Sequence, residues 1–255
     1  MPSADMTRQL IVTADDFNLS AGVSRGILEA HQHGIVTETS VMVNLGDLPQ
    51  AVAMLATAPQ LATGLHLNIT RGRPLAPPSL VAEILRDGQF LGSPPALPPH
   101  LRSAAVRAEF QAQVDSFVRA FGRLPQHLDT HHHVHRHPVI LETLLDLAVS
   151  LRVPVRSIDS AMHATMAARD LRSPTAFLGD AADEPYWTIE RLQAALLALR
   201  PGITELMCHP GYFDAVIGYS RYGPQRDVER QALCAPEVVA TLRAQEVQLV
   251  TYAAV

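Results

Sequence analysis

Apolar and polar positions along this chain alternate between short β-branched runs and longer stretches of helical period. Gln9 to Ala14 (Gln-Leu-Ile-Val-Thr-Ala) is a continuous apolar run that reads as a buried first strand. Ser20 can cap a helix carrying Val23, Ile27 and Ala30 on one face, with Gly34 as its stop. Glu38 to Asn44 predicts a second strand, Leu48 to Ala58 a second helix and Leu61 to Asn68 a third strand. Val106, Phe110, Val114, Phe117, Val118 and Phe121 recur at helical spacing and stop at Gly122, so they are read as core. A further helix starts at Pro138, where proline suits the first helical position. Val153 to Ile158 predicts a strand, Ile189 to Leu199 a helix and Ile203 to Cys208 a strand. Pro236 to Gln245 and Val247 to Tyr252 supply a last helix and strand, while Met162 to Leu178 is ambiguous.

Strand and helix thus alternate at least six times, which implies a parallel sheet with right-handed crossovers. For 255 residues without a linker or an internal repeat, the expected fold is α/β. A single domain over 1–255, built as a distorted or incomplete (β/α) TIM-like barrel, fits better than an open dinucleotide-binding sheet. No G-x-G-x-x-G turn follows the first strand. The pattern breaks only over 71–100, where seven prolines leave room for one short helix near Leu80 to Arg86. This segment is expected to be a lid or a substrate-groove wall.

Composition narrows the classes. Twenty basic against 25 acidic residues give a net charge of −5, and every basic residue is arginine, without a run of it. No basic stripe for nucleic acid is present. Met1 to Leu10 has no apolar core of signal-peptide length and no later run approaches a membrane span, so a cytoplasmic protein is expected. Two cysteines, Cys208 and Cys234, cannot form a disulfide framework; Cys208 reads as a buried structural thiol. No G-x-S-x-G elbow suggests a serine hydrolase.

The candidate chemistry lies in the histidines. Six of the twelve fall between His127 and His137, and neutral imidazole is the commonest protein ligand for a transition metal. If Leu128 to His131 ends a strand, period-2 alternation sends Asp129, His131 and His133 to one face and His132 to the other, so one or two ligands are expected there. Asp15 and Asp16, His66, His131 and His209 each sit near the predicted carboxyl end of a strand, the face on which barrels carry catalytic groups. A carboxylate plus two imidazoles, with coordination positions left open, is the composition of a hydrolytic metal site.

Thr13-Ala-Asp-Asp-Phe-Asn-Leu-Ser20, Gly64-Leu-His-Leu67, His127-Leu-Asp-Thr-His-His-His-Val-His135 and Cys208-His-Pro-Gly-Tyr212 together resemble the YdjC/ChbG family of carbohydrate deacetylases, in order and over nearly the full chain. Asn18 stands where the family commonly has glycine; asparagine tolerates positive φ better than most residues. The resemblance implies a distorted (β/α) barrel that removes an N-acetyl group from a small, chito-oligosaccharide-like amino sugar with one divalent cation, Mg²⁺ or Zn²⁺. It implies Asp16, His66 and His131 as metal ligands, Asp15 as general base and His209 as the acid that protonates the departing amine, with the roles of Asp15 and Asp16 exchangeable. Asp129 is expected to orient a ligand imidazole and Arg156 to bind substrate hydroxyls. A homodimer is also implied. The rival readings are a metal-dependent hydrolase of another bond, such as a phosphoester, and a non-catalytic sugar- or metal-binding protein of the same fold.

Overall fold

The computed structural model describes residues 7–179, 187–220 and 222–255; the first six residues, part of the stretch read for a leader segment, lie outside it. Ten residues, Arg8–Phe17, form β1, the hub of the sheet. It is followed by α1 (Ala21–Gln32), β2 (Glu38–Val41), α2 (Leu48–Ala56) and β3 (Ala62–Leu67). A short α3 (Pro78–Val81) and a two-stranded hairpin, β4 (Leu85–Arg86) with β5 (Gln89–Phe90), occupy the proline-rich stretch. Then come α4 (Ser103–Phe121), β6 (Leu128–Thr130), α5 (Pro138–Leu151), α6 (Ser160–Ala167), β7 (Ala176–Leu178), α7 (Ile189–Leu197), β8 (Gly202–Cys208), α8 (Gln225–Leu233), α9 (Pro236–Ala244) and β9 (Gln248–Val250). The order β6-β3-β2-β1-β8-β7, with β9 also on β1, makes a curled, wholly parallel sheet. Between its ends, residues 154–156 bridge to Leu128 of β6, and the Val155 N–H donates to Arg172. The result is the expected distorted (β/α) barrel, incompletely closed.

Local chemistry accounts for most boundaries. The Ser20 side chain accepts from the Val23 N–H at 3.2 Å and starts α1. Gly122, at φ 67°, ends α4, and Pro138 opens α5. Gly34 serves otherwise than expected: α1 stops at Gln32, and Gly34 is small because a Cβ there would lie 2.4 Å from the Leu233 carbonyl oxygen. The strand expected over 153–158 shrinks to the single bridge at Val155. One helix, α8, was not expected at all.

The proline-rich stretch is anchored. Ala76, Val81, Ile84, Phe90 and Leu97 are buried in the main core, and Glu109 of α4 accepts the N–H groups of Leu75 and Ala76. Apolar side chains between sheet and helices form that core. Inside the curl of the sheet the buried groups are polar: Asp15, Glu38, Ser40, His66, His127, Asp129, Arg156 and Glu205. They touch one another, and this charged interior is the floor of the candidate site.

Candidate metal centre and active site

Asp15 and Asp16 are neighbours on β1, and in a regular strand they would face opposite ways. The chain resolves this with a bend. Asp16 has φ 71°, and the pairing of β1 with β2 slips between Ala14 and Phe17, as in a bulge. Asn18 follows at φ 73°; its amide nitrogen donates to Met42 and Leu45 carbonyls at 2.9 and 2.6 Å, so the turn keeps its shape without glycine. Both carboxylates therefore reach the mouth of the barrel.

Asp16 Oδ1, His66 Nε2 and His131 Nδ1 form a triangle with edges of 3.4, 3.1 and 3.3 Å. Atoms about 2.1 Å from a common ion, at tetrahedral or octahedral angles, stand roughly 3.0–3.4 Å apart. Asp16 Oδ1 is buried and has no hydrogen-bond partner among the described residues, the condition of an atom meant for a ligand. The donor set, one carboxylate and two imidazoles, suits a divalent cation and leaves positions open. A second possible cluster, Asp15, His66 and Asp129, already holds a cation. Arg156 enters it, with Nη1 and Nη2 donating to the two Asp15 oxygens at 2.7 Å each and Nη1 lying 2.8 Å from Asp129 Oδ2.

Arg156 is thus closed to substrate. It is fully buried, and Nε and Nη2 also donate to Glu205 at 3.1 and 2.9 Å. Where a contact with sugar hydroxyls is expected, the guanidinium is engaged by three buried carboxylates, Asp15, Asp129 and Glu205. Asp129 lies where an imidazole-orienting role needs it, since His66 Nδ1 donates to Asp129 Oδ1 at 2.9 Å and so turns Nε2 toward Asp16. Burial disfavours charge on His66, yet Asp129 and Asp15 raise its pKa to about 10. Burial likewise opposes ionisation of Asp16, but Arg226 and His131 hold it well below the usual carboxylate range.

The histidine tract divides its labour. Strand alternation stops at His131, because His132 and His133 have φ of 58° and 48° and swing the chain away. His133 consequently leaves the face of Asp129 and His131 and packs edge-on against Phe177. His132 contacts Thr70 Oγ1 at 3.0 Å, and His137 caps α5 by accepting from Val139 at 3.2 Å. His127 donates to Glu38 at 2.8 Å and stacks on Tyr252. Only His131 joins the triangle.

His209 follows β8 and is partly buried against Tyr222, with ring centroids 4.5 Å apart. Burial outweighs the attraction of Asp16 and Asp15 and lowers its pKa to about 4. Cys208, just before it, is buried and donates to the Thr13 carbonyl at 3.4 Å; burial pushes its thiol well up, so it is no nucleophile. Two functional neighbours escaped sequence reasoning, both on α8. Arg226 Nη2 donates to Asp16 Oδ2 at 2.6 Å. Glu229 accepts the backbone N–H of His209 and, at 3.3 Å, that of Trp187. Burial raises the Glu229 pKa to about 8 despite those bonds.

A buried cluster of one carboxylate and two imidazoles at the carboxyl ends of barrel strands is a group that could hold a metal ion, in a fold shared with carbohydrate-active hydrolases. Residues 9–244 match the family described as YdjC-like protein, and the chain belongs to that family. A carbohydrate deacetylase of Geobacillus stearothermophilus is 38% identical over 97% of this chain and 98% of its own length. A chitooligosaccharide deacetylase of Serratia marcescens is 38% identical over 93% and 95%. A solved structure of a protein from Enterococcus faecalis V583 superposes with TM-score 0.90 at 28% identity, covering 97% of this chain and 98% of that one. The family 4 carbohydrate esterase of Streptomyces lividans shares the fold at TM-score 0.54 and 12% identity, over 96% and 92% of the two chains. Among the described residues no helix is long and apolar enough to cross a membrane.

Proposed function

We propose that this protein hydrolyses the N-acetyl amide of a small amino sugar of chito-oligosaccharide type, releasing acetate and a free amine, with one divalent cation held by Asp16, His66 and His131. The observation that carries the reading is the triangle of those three ligand atoms, one of whose corners is the buried Asp16 Oδ1. The names of the family relatives support the substrate class. Mg²⁺ or Zn²⁺ would suit the mixed donor set.

An unactivated amide resists water because hydroxide is scarce near neutral pH and nitrogen leaves poorly. A cation bound there would supply Lewis acidity and lower the pKa of water toward about 7. The chain supplies the rest. Asp15, whose Oδ1 accepts from Arg156 and from Ser40 at 3.1 Å and whose Oδ2 accepts from Arg156, keeps one lone pair on Oδ2 with which to take a proton from the attacking water. A positioned base of this kind is worth about 10²–10⁴-fold. Asp16, rather than Asp15, serves the cation because its Oδ1 faces both His66 Nε2 and His131 Nδ1, whereas Arg156 spans the two Asp15 oxygens. His209 is neutral at rest, would take up a proton from solvent as negative charge builds beside it, and would pass that proton to the departing nitrogen, returning to the neutral ring as acetate and free amine separate. Residues 71–100 wall the groove: Arg71 lies 4.6 Å over the half-exposed Tyr219 ring, so a flat, amphipathic face stands at the mouth, suited to a pyranose.

The test is acetate release from N-acetylated mono- and disaccharides, with and without a chelator. Chelator-sensitive release, restored by added Zn²⁺ or Mg²⁺, is expected. Release that a chelator leaves untouched, phosphate release from phosphoesters instead, or sugar binding without turnover would each defeat the proposal.

A further inference from the structure

Arg226 has no part in the reaction as described, yet it is only 2% exposed and aimed at a ligand carboxylate. Its Nε donates to the Tyr222 carbonyl at 2.9 Å, and its Nη1 is buried without a hydrogen bond among the described residues. Its backbone carbonyl accepts the Gly211 N–H at 3.1 Å, tying it to the loop that carries His209. The guanidinium is therefore held at Nε by the Tyr222 carbonyl and at Nη2 by Asp16.

A carboxylate can offer an ion one oxygen or two. Asp16 turns Oδ1 toward His66 and His131, while Oδ2 is occupied by Arg226. Placing a fixed positive charge beside a cation site weakens cation binding, the more so where burial limits screening. A site shaped only for affinity would leave Oδ2 free. We infer that Arg226 is a positioning residue that withholds one oxygen of Asp16 from the metal, giving up affinity so that the ion is held by a single carboxylate oxygen and two imidazoles with coordination positions open for water and the acetyl group. The inference rests on Asp16, His66 and His131 being the metal ligands.

The experiment measures Zn²⁺ dissociation constants by competition with a chromophoric chelator, on the full chain and on R226M, R226K and D16N. R226M is expected to bind Zn²⁺ at least tenfold more tightly than the parent while its turnover falls. R226K, which retains the charge, stays within threefold in affinity. A residue that merely held the fold together would act the opposite way, weakening binding. Equal or weaker binding by R226M, with binding lost in D16N, overturns this inference and leaves the ligand assignment standing. A parent chain that binds no Zn²⁺, or a D16N variant that binds as well as the parent, overturns both. Should R226M fail to fold, R226Q provides the same comparison.

Discussion

Replacing Glu229 with glutamine isolates one buried charge. The carboxyl is fully buried and has its pKa raised from 4.5 to about 8, burial being the main cause. A carboxyl with a raised pKa costs nothing below the unfolded value, where both states are protonated. As pH rises past 4.5 the unfolded chain ionises while the native carboxyl keeps its proton, so stability falls until pH passes about 8, where the loss levels off. At about 1.4 kcal/mol per pH unit, that interval amounts to about 5 kcal/mol. Glutamine keeps an oxygen to accept one of the two N–H groups and cannot ionise. Forgoing the second bond costs it about 1–3 kcal/mol at every pH. Urea unfolding of both proteins at half-unit steps from pH 4.5 to 8.5 is the assay. The parent is expected to be the more stable below pH 5, with the difference shrinking steadily and E229Q the more stable by pH 8. Stability curves that run parallel across this range would refute the reasoning.

Three further outcomes follow from the geometry. H209A should lose about 10²–10⁴-fold in turnover, the usual worth of a proton donor, with bound metal measured by elemental analysis unchanged; loss of the metal instead would contradict the assignment. G64A puts a Cβ about 2.1 Å from His127 Cε1, and that ring is wedged between Glu38 and Tyr252, so unfolding experiments should show a loss of at least about 1–3 kcal/mol. R156L leaves Asp15, Asp129 and Glu205 buried without their shared counter-charge and should cost about 3–5 kcal/mol, read as a lowered urea midpoint.

The barrel was largely legible because its strands and most helices have apolar faces: β1, β3 and α4 are recognisable from period alone. Helix α8 was hidden for the opposite reason. Its buried face is Arg226, Glu229, Ala232 and Leu233, so two of the four inward positions are charged and the hydrophobic stripe that betrays a helix is missing. The two residues thereby overlooked are the ones that touch Asp16 and the His209 backbone. The alternation rule served for Asp129 and His131 but ran past its range at His132, where left-handed backbone begins; histidine is among the residues that tolerate it. Alternation alone set Asp15 and Asp16 on opposite sides, and only the positive φ of Asp16 reconciles them. The partners of Arg156 were not legible because Asp15, Asp129 and Glu205, which share it, lie on three different strands far apart in sequence.

The way β9 joins the sheet bears on the order in which the protein assembles. Gln248–Val250 pairs with Gln9–Ile11, and Tyr252 just beyond donates its N–H to Glu38 and its hydroxyl to Glu205 at 2.9 and 2.6 Å. Glu205 in turn steadies the arginine that grips Asp15. Segments some 240 positions apart in the chain therefore meet on the strand that carries Asp15, and such distant pairings form slowly. The last residues of the chain thus act as a strap: removing Gln248–Val255 takes away a strand beside β1 and two hydrogen bonds that steady Glu38 and Glu205, far from the sheet edge where a terminal trim would be harmless.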